Sequence, residues 1–165
     1  MNNQSLVVFL NRNHACGESL EWLGDRNLSQ TWAECERGDW LIWLAAKAGI
    51  DRKRLVMAAC ACARLAIVHV RIGEERPRIA IETAEAWSRG EATIEQVREA
   101  RKAAAYAAYA AAAAYAASAA DAAAYAADAA DAARRATQQK TAGIVRSMIT
   151  MEEVEVAIRA QGRER

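Results

Sequence analysis

The chain has 165 residues, the size of one compact domain, which excludes a large multidomain assembly. It carries 22 Lys and Arg against 21 Asp and Glu, a net charge of +1, so we expect no direct binding to nucleic acid. One proline, eight glycines and 53% hydrophobic residues, many of them alanine, predict an almost wholly helical protein.

The first residues, MNNQSLVVFLNRN, lack the basic and apolar regions and the cleavage site of a secretory signal. With four cysteines, Cys16, Cys35, Cys60 and Cys62, this start predicts a cytoplasmic protein with reduced thiols. The uncharged run from Ala103 to Ala120 has the length of a membrane span, but alanine contributes too little transfer free energy. We therefore expect no membrane-spanning segment.

Glycines and capping residues predict the ends of the helices. A glycine can adopt the left-handed conformation that ends a helix, and five follow periodic segments: Gly24, Gly38, Gly49, Gly73 and Gly90. Predicted helix starts are the N-caps Asp39 and Asp51, Pro77 in a first turn, and the capping boxes Thr93 with Gln96 and Thr150 with Glu153. The predicted helices are Ala15–Leu23, Ser29–Cys35, Asp39–Ala48, Asp51–Val70, Pro77–Arg89, Thr93–Lys140 and Thr150–Ala160.

These helices predict an all-α fold: a compact bundle of short helices around a central apolar helix, followed by a long Ala-rich helix or helical hairpin. The helix from Asp51 is apolar nearly all round, which favours the central position. We expect a helical core in residues 1–92, densest from 15 to 90, with residues 93–165 packing on it as part of a single domain. Five tryptophans should anchor that core: Trp22, Trp32, Trp40, Trp43 and Trp87.

The Ala-rich segment from Ala103 to Ala136 offers two interpretations. Polar side chains recur every three or four residues from Ser118 to Arg135, so they form one stripe beside smooth alanine faces. This helix is either structural, with faces that could pair two chains as a homodimer, or a recognition strip for a basic protein partner. The candidate contact residues of the strip are Tyr109, Tyr115, Asp121, Tyr125, Asp128 and Asp131.

Motifs for catalysis are not found: the chain has no Gly-rich phosphate loop, HExxH pair or GxSxG elbow. We expect no enzyme, no cofactor and no metal site, because the spacing of His14 and the cysteines does not suit zinc. His69 should lie at a helix C-terminus. Two i,i+4 ion pairs are predicted, Arg78–Glu82 and Glu85–Arg89; a less favoured alternative is an enzyme or carrier using Arg64, Arg78, Glu82 and Glu85.

Two segments carry a family resemblance, CERGDWLIWL from Cys35 to Leu44 and RPRIAIETAEAW from Arg76 to Trp87. Together with LVMAACACAR from Leu55, they resemble the Imm-five-like immunity proteins of bacterial polymorphic toxin systems over about residues 15 to 100. The resemblance implies a small cytoplasmic protein that binds and neutralises a toxin or effector. Similar modules occur in phage genomes, so the alternative is a phage-encoded inhibitor of a bacterial defence system, such as an anti-CRISPR.

Overall fold

A computed structural model describes residues 1–118 and 127–163, with side chains at 1–108 and 133–162. The prediction of an all-α fold is confirmed: these residues form helices joined by short turns, without a strand among them. The helices are α1 Asn3–Arg12, α2 Gly17–Leu23, α3 Leu28–Glu34, α4 Gly38–Ala48, α5 Arg52–Ile67, α6 Arg76–Arg89, α7 Ile94–Ser118, α8 Ala127–Met148 and α9 Met151–Arg163.

Both predicted capping boxes are present. At the start of α7, Thr93 N–H donates to Gln96 Oε1 at 2.7 Å and Gln96 N–H donates to Thr93 Oγ1 at 3.2 Å. Thr150 and Glu153 repeat the arrangement at the start of α9. Each box satisfies amide groups that have no partner within the helix, so these local predictions hold without reference to tertiary packing.

Position 38 corrects one prediction from the glycine pattern. Gly38 does not end a helix; it opens α4, and Asp39 lies in the first turn rather than at the N-cap. A Cβ at Gly38 would lie 2.5 Å from Thr141 Oγ1 and 2.7 Å from the Thr141 carbonyl carbon. The residue is therefore glycine because α8 approaches the backbone of α4 too closely for a side chain.

Helix α1 was not predicted. It begins at the N-cap Asn2, whose side chain accepts from Ser5 N–H at 2.9 Å, and it ends before His14, which has a positive φ of 60°. Histidine rather than glycine takes the left-handed position at this end, so the glycine pattern gave no signal for a helix there.

The chain divides into two compact units. Unit 1 comprises Met1–Leu55 and Gln138–Arg165, and unit 2 comprises Val56–Thr137. Buried side chains of unit 1 also lie outside the expected dense region 15–90, in α1 and in the C-terminal helices. Its buried apolar residues include Leu6, Phe9, Leu10, Leu23, Leu28, Trp32, Leu41, Leu44, Ala142, Val145, Ile149, Val154 and Ile158.

A guanidinium joins the C-terminal segment of unit 1 to α3. Arg146 Nη1 donates to the carbonyl oxygens of Trp32 at 3.1 Å and Cys35 at 2.8 Å. These carbonyls lie at the end of α3, where the last C=O groups have no partner within the helix. A cation there is also favoured by the helix dipole, so Arg146 caps α3 from α8.

Unit 2 is built on α6 and α7, which pack against each other. Its buried side chains among the described residues are Ala58, Cys60 and Ala107. The expectation that the helix from Asp51 is central is wrong, because α5 buries only Ala58 and Cys60 and ends at Ile67, before His69.

The Ala-rich segment continues further than predicted. Helix α8 runs to Met148, past the expected end at Lys140, and its last turns contribute Ala142 and Val145 to the core of unit 1. Residues 119–126 lie outside the described residues, so the choice between one long helix and a hairpin stays a prediction. Within the described ranges, no helix combines the length and the apolar character needed to cross a membrane.

Candidate functional site

The predicted recognition strip falls mostly on residues that the structure does not describe. Positions 109 and 115 belong to α7 and positions 128 and 131 to α8, but the side chains of Tyr109, Tyr115, Asp128 and Asp131 lie outside the described set. Asp121 and Tyr125 lie outside it altogether. The neighbouring Tyr106 is described, and its side chain is 77% exposed on α7.

A cavity of about 400 Å³ lies within unit 1, among α1 to α4. Its lining is mainly apolar and includes three of the five tryptophans. The lining residues are Leu10, His14, Ala15, Cys16, Ser19, Trp22, Leu23, Thr31, Cys35, Asp39, Trp40, Leu41, Trp43 and Leu44. Pockets for small molecules in proteins have this size and this excess of apolar walls.

The tryptophans of the cavity are half-buried, which corrects their expected role as core anchors; of the five, Trp32 is the buried one at 4% exposure. The rings of Trp22 and Trp40 meet edge to face, with centroids 6.0 Å apart. A cation lies over each indole of the cavity: Arg26 at 4.6 Å from the ring centroid of Trp22, Arg37 at 4.4 Å from Trp40, and Lys47 at 5.8 Å from Trp43.

Other bonds hold the two arginines in place. Arg37 donates to both carboxylate oxygens of Asp39, at 2.9 and 2.7 Å, and to Glu18 Oε1 at 3.2 Å. This fork lowers the pKa of the Asp39 carboxyl and raises the pKa of Arg37. Arg26 donates to Glu34 at 2.9 Å and to the Trp22 carbonyl oxygen at 2.6 Å. The indoles therefore have rigid charged neighbours outside the cavity.

Two cysteines of the lining differ in environment. Hydrogen bonding by Ser19, from its side chain first and then from its backbone N–H, lowers the pKa of the exposed Cys16 thiol. Burial raises the pKa of the Cys35 thiol, which donates to the Arg37 carbonyl oxygen at 3.6 Å. All four cysteines belong to the described residues, and none of them forms a disulfide.

The charged residues of the enzyme alternative are engaged in ion pairs within unit 2. Arg64 holds Glu85 through two hydrogen bonds of 2.8 and 2.6 Å, which lower the pKa of the Glu85 carboxyl. The predicted pair Arg78–Glu82 is present at 2.7 Å. The predicted Glu85–Arg89 ion pair does not form, because Arg64 of the facing helix takes the Glu85 carboxylate and Arg89 pairs with Glu91.

No group of three or more His, Cys, Asp and Glu side chains in the described ranges is placed to hold a metal ion. Comparison of the chain with protein-family models, curated proteins and solved structures finds no match. The likeness to Imm-five-like immunity proteins therefore rests on the sequence segments named above.

Sequence reasoning did not predict the cavity. The available signal was the three-residue spacing of Trp40 and Trp43, which places both rings on one face of α4. That spacing does not tell whether a tryptophan is buried or partly exposed, so the sequence predicts core positions for both rings. The cavity is lined by residues of α1, α2, α3 and α4, so it depends on how these helices pack, which is a tertiary property.

Proposed function

We propose that this chain is a non-enzymatic protein-binding module of the cytoplasm, an immunity protein that binds and neutralises a toxin or effector. The observation that carries the proposal is Tyr106, which is 77% exposed on α7 at the start of the Ala-rich segment. Tyrosine is enriched in protein interfaces, because its ring buries a large area and its hydroxyl hydrogen-bonds. Tyr109, Tyr115, Asp121, Tyr125, Asp128 and Asp131 continue the proposed contact surface along the same segment.

The state of the Arg and Glu residues in unit 2 supports binding over catalysis. A general acid or base works best with a pKa near the operating pH. Arg64 instead lowers the pKa of Glu85, and Glu82 is bonded to Arg78. The Arg64–Glu85 pair joins α5 to α6, and the Arg78–Glu82 pair lies within α6, so the enzyme alternative loses its strongest candidates.

The test is capture of a partner from bacterial lysate by the tagged full-length chain, with mass spectrometry of the retained proteins. A lysate of phage-infected cells is used in parallel. A double variant, Asp121→Lys with Asp128→Lys, reverses the charge of the proposed strip. We expect one stoichiometric partner for the wild-type chain, and at least about a tenfold loss of affinity for the double variant.

A matched double variant controls for net charge. Asp25→Lys with Glu152→Lys makes the same change at two exposed positions of unit 1, and we expect it to retain the partner. If the retained protein is toxic to bacteria, coexpression of the wild-type or control chain should restore growth, and coexpression of the Asp121→Lys, Asp128→Lys chain should not. An equal loss of affinity for the partner in both double variants would contradict specific binding through the acidic strip.

Other outcomes separate the alternatives. Retention of a bacterial defence component from the lysate, with loss of its activity, would favour the phage-encoded inhibitor. An empty eluate together with a concentration-dependent homodimer in light scattering would contradict the proposal, and would favour self-assembly through the alanine faces of α7.

A further inference from the structure

The cavity of unit 1 has no role in the proposed strip, which belongs to a different segment of the chain. It measures about 400 Å³, and four leucines and three tryptophans account for half of its lining residues. Cavities of roughly 300 to 1,000 Å³ with such walls bind small molecules in other proteins. A ligand that binds this cavity and not the unfolded chain would stabilise the fold.

Three polar side chains of the lining, Asp39, Thr31 and Ser19, are already paired within the protein. Both oxygens of Asp39 accept from Arg37, Thr31 Oγ1 donates to the Asn27 carbonyl oxygen at 2.8 Å, and Ser19 Oγ donates to the Cys16 carbonyl oxygen at 2.7 Å. A charged ligand would lose its hydration and gain little from these satisfied groups. The chemistry of the lining therefore favours an uncharged ligand.

The three indoles favour an aromatic ligand. Trp22, Trp40 and Trp43 all belong to the lining, and aromatic molecules pack well against indole rings, as those of Trp22 and Trp40 do against each other. A cation contacts each ring without a ligand, and two of the three cations, Arg26 and Arg37, are also held in ion pairs. Binding to such a wall costs little ordering of side chains.

We propose that this cavity is a binding site for a small uncharged aromatic molecule, the size of two or three fused rings. The occupant packs against Trp22, Trp40 and Trp43 and leaves the Arg37–Asp39 pair intact. The lining residues belong to a different part of the chain from the candidate contact residues of the Ala-rich segment.

The experiment titrates the full-length chain with N-phenylnaphthylamine, a neutral aromatic probe that becomes fluorescent in apolar surroundings. Anilinonaphthalene sulfonate, the same ring system with a sulfonate, is the charged comparison. We expect saturable one-site binding of the neutral probe with quenching of tryptophan emission, and about tenfold weaker binding of the sulfonate.

Two variants locate the site. Ala15→Phe places a ring in the cavity, and Ala33→Phe adds the same ring at an exposed position of α3 outside the lining. We expect Ala15→Phe to weaken the neutral probe at least about tenfold and Ala33→Phe to leave it unchanged. Trp43→Leu, which keeps an apolar wall but removes one indole, should weaken the probe severalfold and is a second test if Ala15→Phe does not fold.

Circular dichroism and thermal midpoints establish which variants are folded. Absence of saturable binding to the folded wild-type chain would overturn the proposal. So would wild-type affinity in a folded Ala15→Phe or Trp43→Leu chain, or tighter binding of the sulfonate than of the neutral probe.

Discussion

At the scale of single residues, Gly38 is the glycine with the least room for a side chain. A Cβ there would lie 2.7 Å from the backbone carbonyl carbon of Thr141, so neither a side-chain rotation nor a small shift can make room. We predict that Gly38→Ala lowers the free energy of unfolding by about 1–3 kcal/mol, the usual cost of overpacking. Urea denaturation monitored by tryptophan fluorescence measures the change.

Gly143→Ala is the matched control for that prediction. Gly143 lies inside α8, is exposed, and has no neighbour within 4 Å of its would-be Cβ. Alanine restricts the unfolded chain more than glycine does, so we expect this variant to be more stable by about 0.5–1 kcal/mol. If both variants were destabilised, the close approach of Gly38 to Thr141 would not explain the effect of Gly38→Ala.

Cys16 should be the most reactive thiol of the chain. It is exposed and Ser19 lowers its pKa, whereas burial raises the pKa of Cys35, Cys60 and Cys62. Since the thiolate is the nucleophile, we predict that iodoacetamide alkylates Cys16 first at neutral pH and that Ser19→Ala slows the reaction. Peptide mass spectrometry over time follows each cysteine, with the exposed Ser29→Ala as control. First alkylation at a buried cysteine would contradict this order.

At the scale of elements, the start of α9 is held by a carboxylate with several partners. Glu153 accepts from Thr150 N–H at 2.9 Å and from Arg54 at 2.7 and 3.1 Å, and Arg54 also donates to the Met148 carbonyl oxygen. These bonds lower the pKa of Glu153 to about 2 from an ordinary 4.5. The cap therefore depends on the ionised form of this one side chain.

The shift in pKa sets the pH at which this cap fails. Because the folded pKa lies below the unfolded one, the stabilisation is complete above pH 4.5 and is lost as the pH falls toward 2. We predict that Glu153→Gln is less stable than wild type at pH 7 and that its thermal midpoint falls less steeply in acid. Glu152→Gln removes the same charge one residue away and should keep the wild-type slope in this window.

At the scale of the whole molecule, unit 1 is closed by a segment that lies far away along the chain. Val145, Ile149 and Val154 are fully buried, and Ile158 is 7% exposed. Burying each side chain contributes roughly 1.5–3 kcal/mol, so the four together are comparable with the whole stability of a small domain, about 5–15 kcal/mol. The N-terminal helices should not form a stable unit without them.

We predict that a chain ending at Thr137 loses the near-UV circular dichroism of its unit 1 tryptophans, because the apolar faces of α3 and α4 are left open. A chain ending at Ala160 is the control: it keeps all four buried residues and loses the hydrogen bonds of Gln161 to the carbonyl oxygens of Lys47 and Ala48. A cooperative unfolding transition in the shorter chain would show that α1 to α4 fold alone.

Most of the secondary structure could be read from the sequence. Several predicted helix ends lie within a few residues of those observed, because caps and left-handed glycines act through bonds within one turn. The residues that mark these ends are Thr93 with Gln96, Thr150 with Glu153, Pro77 and Gly90. Helix α1 was not predicted, because the residue with the left-handed conformation after it is His14 and not a glycine. The cavity was missed because the sequence places Trp40 and Trp43 on one face without saying what faces them.

The sequence by itself determined the all-α class and the local ends of the helices, since alanine content, caps and breakers act over three or four residues. Tertiary structure decided that α5 is not central, that Gly38 is a contact with Thr141 and that the C-terminal segment completes the core of unit 1. It also decided the partners of Glu85 and the space between the tryptophans. Each of these depends on neighbours that are distant along the chain or on how several helices pack, which local periodicity does not encode.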